Sequence, residues 1–241
     1  MEKEKKTKNV TKEKTSADIT IHKESALKKL DLLLSNYISD PKKMLKADKL
    51  SYWIEDFSSL LKAEETFNPK YLKKYERGDV IQANLGYNIG NEEGGLHYCV
   101  VIDKHNSKKA GILTVIPLTS NKEQDLDFSE VSLGNEVYTS FKEKYDILIS
   151  ELSQKVSSLN KDSDKNEIRI ALEKLNILEK MESKMLKMKK GSIALVSQIT
   201  TISKQKIYDP QKTQDLLSGV RISDDSLDLI NEKMKQLFIK N

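Results

Sequence analysis

Three histidines, one cysteine and a loop of paired glutamates and glycines are the residues best equipped for chemistry in this chain. His97 follows the run Gly90-Asn-Glu-Glu-Gly-Gly95, with only Leu96 between. Free imidazole titrates near ~6.5, so histidine can take or give a proton at physiological pH, which is the requirement for general acid or base work. Read by itself, His97 is first of all a hydrogen-bonded histidine at the start of a strand. The pair Gly94 and Gly95 permits a tight loop but lacks the strand-to-helix context of a phosphate loop. Tyr87 and Tyr98 are able to stack on bases of a single strand, or to pack in a core. His22, His97 and His105 are too scattered for zinc spacing, and the lone Cys99 cannot form an internal disulfide. No metal and no cofactor is expected.

Bulk charge gives no help in choosing a partner. The net charge is +4. Residues 74–134 carry 6 basic and 9 acidic side chains, and residues 190–241 carry 8 and 6. A nucleic-acid partner usually leaves a basic stripe, and none is visible, so a case for RNA must rest on particular residues. With 37% hydrophobic and 32% charged residues the chain has enough apolar surface for a core. No apolar run approaches the ~18 residues that span a bilayer, and the start of the chain is Lys/Glu-rich, so a soluble cytoplasmic protein with no membrane contact is expected.

The elements that must position these residues follow from glycine spacing and hydrophobic period. Of nine glycines, none precedes Gly78, seven lie from Gly78 to Gly134, and only Gly191 and Gly219 follow. Residues 1–15 are polar and aperiodic, which predicts a disordered tail. Residues 16–73 form a helical extension: Leu27, Leu30, Leu34 and Tyr37 recur at helical spacing, and Asp40-Pro41 reads as the start of a second helix carrying Leu50, Trp53, Ile54, Phe57, Leu60 and Leu61. Four short β-branched pieces, Val80 to Leu85, Tyr98 to Asp103, Ile112 to Leu118 and Phe128 to Leu133, predict an antiparallel meander. Residues 135–189 read as a helical hairpin, with a polar loop at 160–163 and an Asp164/Glu167 capping box. Ser192 to Ile207 adds two strand candidates, and Ser223 opens a last helix on Leu227, Ile230, Met234 and Leu237.

Three stretches together, Arg77-Gly-Asp-Val-Ile, then Gly90 to Ile102, then Ile116-Pro-Leu-Thr-Ser120, resemble the MazF/PemK family of toxin endoribonucleases. Gly191 to Ile207, with its Gln-Ile-x-x-Ile run, resembles that family's later strand pair. The resemblance implies an α+β fold: an SH3-like small antiparallel β-barrel from residues 74–134 and 190–241 with a C-terminal helix, an N-terminal helical extension and an inserted αα-hairpin at 135–189. It also implies the toxin of a toxin–antitoxin system, a metal-independent endoribonuclease cutting single-stranded mRNA, usually a homodimer and restrained by an antitoxin. The family's catalytic arginine falls at the place held here by His97, so its permanent charge does not carry over.

The resemblance places the family's hydroxyl residue at Thr119 and its loop glutamate at Glu92. Attack of a 2′-hydroxyl on the adjacent phosphate needs a base, an acid for the leaving 5′-oxygen, and stabilisation of added negative charge. The assignment is then His97 as general acid or base, Thr119 as donor to the scissile phosphate, and Glu92 as the group that orients His97 or shares its proton. Substrate contacts are assigned to Gly94, Gly95, Ser120, Gln198 and Tyr98, with Lys104 or Lys122 supplying charge. Each has a plainer reading: Thr119 and Ser120 as turn residues after Pro117, Glu92 and Glu93 as solvated loop charges, Gln198 as a backbone partner. The competing function is a non-catalytic nucleic-acid- or protein-binding module on the same barrel, using the helices for protein contacts.

Overall fold

The computed structural model describes residues 14–121, 125–159 and 165–240. Most of the expected tail, the 160–163 loop and Asp164 of the expected capping box lie outside them. The chain forms two compact units that part between Glu55 and Asp56. The first holds α1 (Ser16–Ile38) and the beginning of α2 (Met44–Glu64). Thr15 caps α1 in a reciprocal box: Asp18 N–H donates to Thr15 Oγ1 at 3.2 Å, and the Thr15 N–H donates to Asp18 Oδ2 at 2.9 Å. The helix buries none of its side chains, and α2 buries only Ala47. Asp40 does not cap α2 as its Asp-Pro sequence suggests. It accepts from the Lys42 N–H at 3.0 Å in a separate turn, and the helix begins at Met44.

Among the described residues the second unit holds seven strands: β1 (Val80–Asn84), β2 (Leu96–Val101), β3 (Ile112–Ser120), β4 (Glu130–Ser132), β5 (Ser192–Leu195), β6 (Thr200–Ser203) and β7 (Ile207–Asp209). They pair in the order β4-β5-β3-β2-β1-β7, with β6 also on β3. Only β1, β2 and β3 form the expected meander. The fourth strand does not continue it: β4 pairs with β5, through Val131↔Ala194, because β5 already occupies the free edge of β3. The region 192–207 yields β5 and β6 as well as the start of a third strand, β7. Among the described residues no ladder joins β4 to β7.

Successive side chains of a strand point to opposite faces, and here both faces are covered. Val80, Val100, Ile116 and Leu118 join one cluster, while Ile81, Ala83, Cys99, Val101, Leu113 and Val115 join another. The first cluster also takes Val137 and Phe141 of α3 (Glu136–Ser158), Met181 and Met188 of α4 (Lys165–Met188), and Leu227 and Ile230 of α5 (Asp224–Phe238). The hairpin α3–α4 therefore shares its core with the sheet. The α5 cap is as read: Ser223 Oγ accepts from the Ser226 N–H at 3.1 Å, and Asp224 and Asp225 stand in the first turn. Ser223 also donates to the Glu136 carboxylate, tying α5 to α3.

A break in one strand matters for the site. β5 and β6 both run antiparallel to β3, and between Ala194↔Leu118 and Thr200↔Val115 residues 195–199 stand opposite only 116 and 117. Pro117 has no N–H to offer a ladder. The facing chain leaves the sheet there in a 3-10 turn, Val196–Gln198.

Cys99 provides a check on the buried sheet face. It is fully buried, and burial first, then the charge of Glu93, pushes its thiol well above the ordinary range, up to about 12. The native protein is expected to leave a thiol reagent unreacted at pH 8 and to consume one equivalent on unfolding. Because the folded value lies above the unfolded one, the stability this thiol contributes is complete below about pH 8.5 and is lost as pH rises toward 12. Wild type should accordingly lose stability relative to Cys99→Ala above pH 9, by at most about 1.4 kcal/mol per pH unit. Equal pH slopes in denaturant titrations, or rapid native labelling, would contradict this packing.

Candidate active site

His97 belongs to β2, where it pairs with Ala83 of β1. Thr119 and Ser120 end β3 as strand residues opposite Ile193 and Ser192 of β5, not as turn residues after Pro117. These neighbouring strands bring His97, Tyr98, Thr119 and Ser120 to one cavity of about 200 Å³, which Val137 and Met188 from the helical hairpin also line. Tyr98 is half-buried, and burial, assisted by the Asp209 charge, pushes its phenol up to about 12. Its ring also packs on the main core, so it serves as both wall and packing residue.

The carboxylate at His97 is Glu93, not Glu92. Glu93 Oε2 lies 3.2 Å from His97 Nε2, with the side chains 31% and 27% exposed. The pair is thus open enough to meet a substrate and sheltered enough to hold its geometry. On the opposite edge of the ring, Nδ1 lies 3.4 Å from the Leu118 carbonyl oxygen, a longer contact that sets the ring plane between β2 and β3. Glu92 instead lines a second cavity, of about 450 Å³, with Asn88, Glu93, Gln198, Thr200 and Lys206. Pro117 lies in the wall of this cavity, and Leu118 in the wall of the first.

The loop carrying Glu93 is shaped by backbone contacts. The Leu85 N–H donates to Gly95 O at 2.8 Å, and the Gly95 N–H donates to Gly86 O at 2.6 Å. Gly95 has φ +79°, a left-handed conformation that favours glycine. Gly94 is required for a different reason: a Cβ there would lie 2.7 Å from Gly86 O. These glycines shape the loop, and neither is among the residues lining the two cavities. Gln198 was expected at the substrate, and it does line the larger cavity. Its amide is engaged with the loop backbone: Oε1 accepts from the Glu93 N–H at 3.3 Å and Nε2 donates to Asn91 O at 3.1 Å.

Of the two candidate cations, Lys104 follows β2 on an exposed bend and lines neither cavity, and Lys122 lies outside the described residues. The lysine that sequence reasoning missed is Lys206, in the wall of the larger cavity. Its Nζ donates to Leu85 O at 3.2 Å, and burial holds its pKa below the usual lysine value. The sequence signal for it is slight, a lysine closing the polar run Ser203-Lys-Gln-Lys206 just before a strand.

The antiparallel sheet thus sets a histidine–carboxylate pair beside strand-end hydroxyls, groups able to accept and donate protons. Residues 76–162 match the family model of the PemK-like, MazF-like toxins of type II toxin–antitoxin systems. Among solved structures, the chain is similar to a crystal structure of MazF (form I) from Deinococcus radiodurans, at 11% identity and TM-score 0.36, over 68% of this chain and 96% of that one. No curated protein matches.

Proposed function

We propose that the chain is the toxin of a type II toxin–antitoxin pair and a metal-independent endoribonuclease acting on single-stranded mRNA. The observation that carries this reading is the Glu93–His97 contact of 3.2 Å at a cavity that Thr119 and Ser120 also line. The oxygen of a ribose 2′-hydroxyl attacks the adjacent phosphorus, the bond to the 5′-oxygen breaks, and the products are a 2′,3′-cyclic phosphate and a free 5′-hydroxyl. One member of the His97–Glu93 pair accepts the 2′-hydroxyl proton while the other delivers a proton to the leaving oxygen. Thr119 and Ser120 hydroxyls donate to the phosphate oxygens as negative charge builds there. Glu92, on the larger cavity, faces the flanking nucleotides rather than the reacting phosphate.

In this reading the sheet, with its two covered faces, is the family's small SH3-like barrel, assembled from residues 74–134 and 190–241 around the 135–189 insertion. The protein works in the cytoplasm, as a homodimer, and an antitoxin protein restrains it. No helix among the described residues is long and apolar enough to cross a membrane. The test is incubation of purified protein with a long single-stranded RNA in EDTA, followed by mapping of the ends. Discrete cuts bearing 2′,3′-cyclic phosphates are expected. RNA left intact both with and without added divalent metal would instead favour a non-catalytic binding module, for which α1, with no fully buried side chain, supplies a surface.

A further inference from the structure

Glu93 reaches His97 from a loop, and a loop side chain holds a catalytic position only if its backbone is fixed. The Glu93 peptide is gripped at both ends. Its N–H donates to Gln198 Oε1 at 3.3 Å, and its carbonyl accepts from Asn88 Nδ2 at 2.6 Å. The Asn88 contact comes from within the same loop and would move with it. The Gln198 contact does not, because Gln198 comes from a distant part of the sequence, in a turn held between two strands of the sheet. Its 3-10 turn sits between β5 and β6, the Val196 N–H donates to Ser129 O at 3.1 Å, and Val196 is fully buried. Gln198 also grips the loop a second time, two residues earlier, through Nε2 to Asn91 O at 3.1 Å.

We infer that Gln198 is a positioning residue: by bonding the backbone at Asn91 and Glu93 it clamps the Gly86–Gly95 loop to the sheet and so holds the Glu93 carboxylate on His97 Nε2. The break opposite Pro117 is what makes this reach available, since a continuous β5–β6 ladder would keep residue 198 within the sheet. Gln198 therefore acts through Glu93 and not by touching substrate. The inference rests on the proposed roles of His97 and Glu93 for its catalytic meaning, but the clamp itself can be measured without RNA.

The test uses the full chain with Gln198→Met, which keeps side-chain length and removes both hydrogen-bonding groups. Hydrogen exchange of the Glu93 amide should quicken by about tenfold or more, as expected when a local bond is lost and the segment opens on its own. The imidazole ¹⁵N resonances of His97 should move in the same direction as in Glu93→Gln. Gln198→Glu retains the acceptor for the Glu93 N–H and should recover most of the amide protection. In RNA cleavage, kcat should fall with KM little changed. His97 resonances identical to wild type in Gln198→Met overturn the inference, as does a rise in KM at unchanged kcat. Shifted resonances in a protein that cleaves no RNA leave the clamp standing and reject the nuclease reading.

Discussion

Replacing His97 by alanine is expected to lower RNA cleavage by about 10²- to 10⁴-fold, the range a single positioned acid or base contributes, with little change in stability. The side chain is 27% exposed, and its neighbours are a carboxylate that water can solvate and a carbonyl at 3.4 Å, so its removal leaves no large cavity. Glu93→Gln should fall in the same direction, and the double variant should cost little more than His97→Ala alone, because two groups in direct contact that serve one concerted proton-transfer step act as a unit. His97→Arg is the informative companion, because it separates charge from proton transfer. Arginine carries a permanent charge and gives up no proton in this range. If position 97 acts through charge alone, His97→Arg should cleave as well as wild type. Proton transfer predicts that it falls with His97→Ala. Cleavage by His97→Ala at the wild-type rate, in protein whose thermal melt is unchanged, would remove His97 from the mechanism.

The elements were legible where a local period decides them. The stripe of α5 and its Ser223 cap read directly, and β1 to β3 announce themselves as β-branched runs, because both sheet faces are buried and each position is free to be apolar. What escaped notice depends on partners far along the chain. β2 starts at Leu96 because Asn84 and Ala83 pair with Leu96 and His97, although neither of these two residues favours a strand by itself. β4 sits on β5, some 60 residues later, and nothing near Val131 encodes that neighbour. The choice between Glu92 and Glu93 is of the same kind. Two adjacent glutamates are indistinguishable by composition, and Glu93 is selected by a close approach of Gly94 to Gly86 and by Gln198, 105 residues away in sequence.

The Arg77-Gly78-Asp79 corner shows that a signature stretch need not carry chemistry, and it gives the largest expected stability effect. Asp79 is 4% exposed, and its Oδ2 accepts from Lys73 Nζ at 2.9 Å and from the Glu76 N–H at 3.1 Å. Arg221 Nε approaches Oδ1 at 3.5 Å, and Arg77 reaches the Ile102 carbonyl and Asn231 of α5. The corner thus ties the start of β1 to the C-terminal segment, and its three residues line neither of the two cavities described above. Asp79→Ala leaves the Lys73 ammonium, on a side chain only 11% exposed, without its carboxylate. Arg221, at 44% exposure, can turn to water and adds little. Breaking one side of a buried pair costs about 3–5 kcal/mol, which for a unit of this size lowers Tm by roughly 6–20 °C. The double variant Asp79→Leu with Lys73→Met removes the orphaned charge as well and should recover much of the loss, since the penalty lies in the unpaired ion and not in the absence of the pair. A single-variant loss below about 1 kcal/mol in denaturant titration, or a double variant no better than the single, would show that the corner is held by its backbone turn instead.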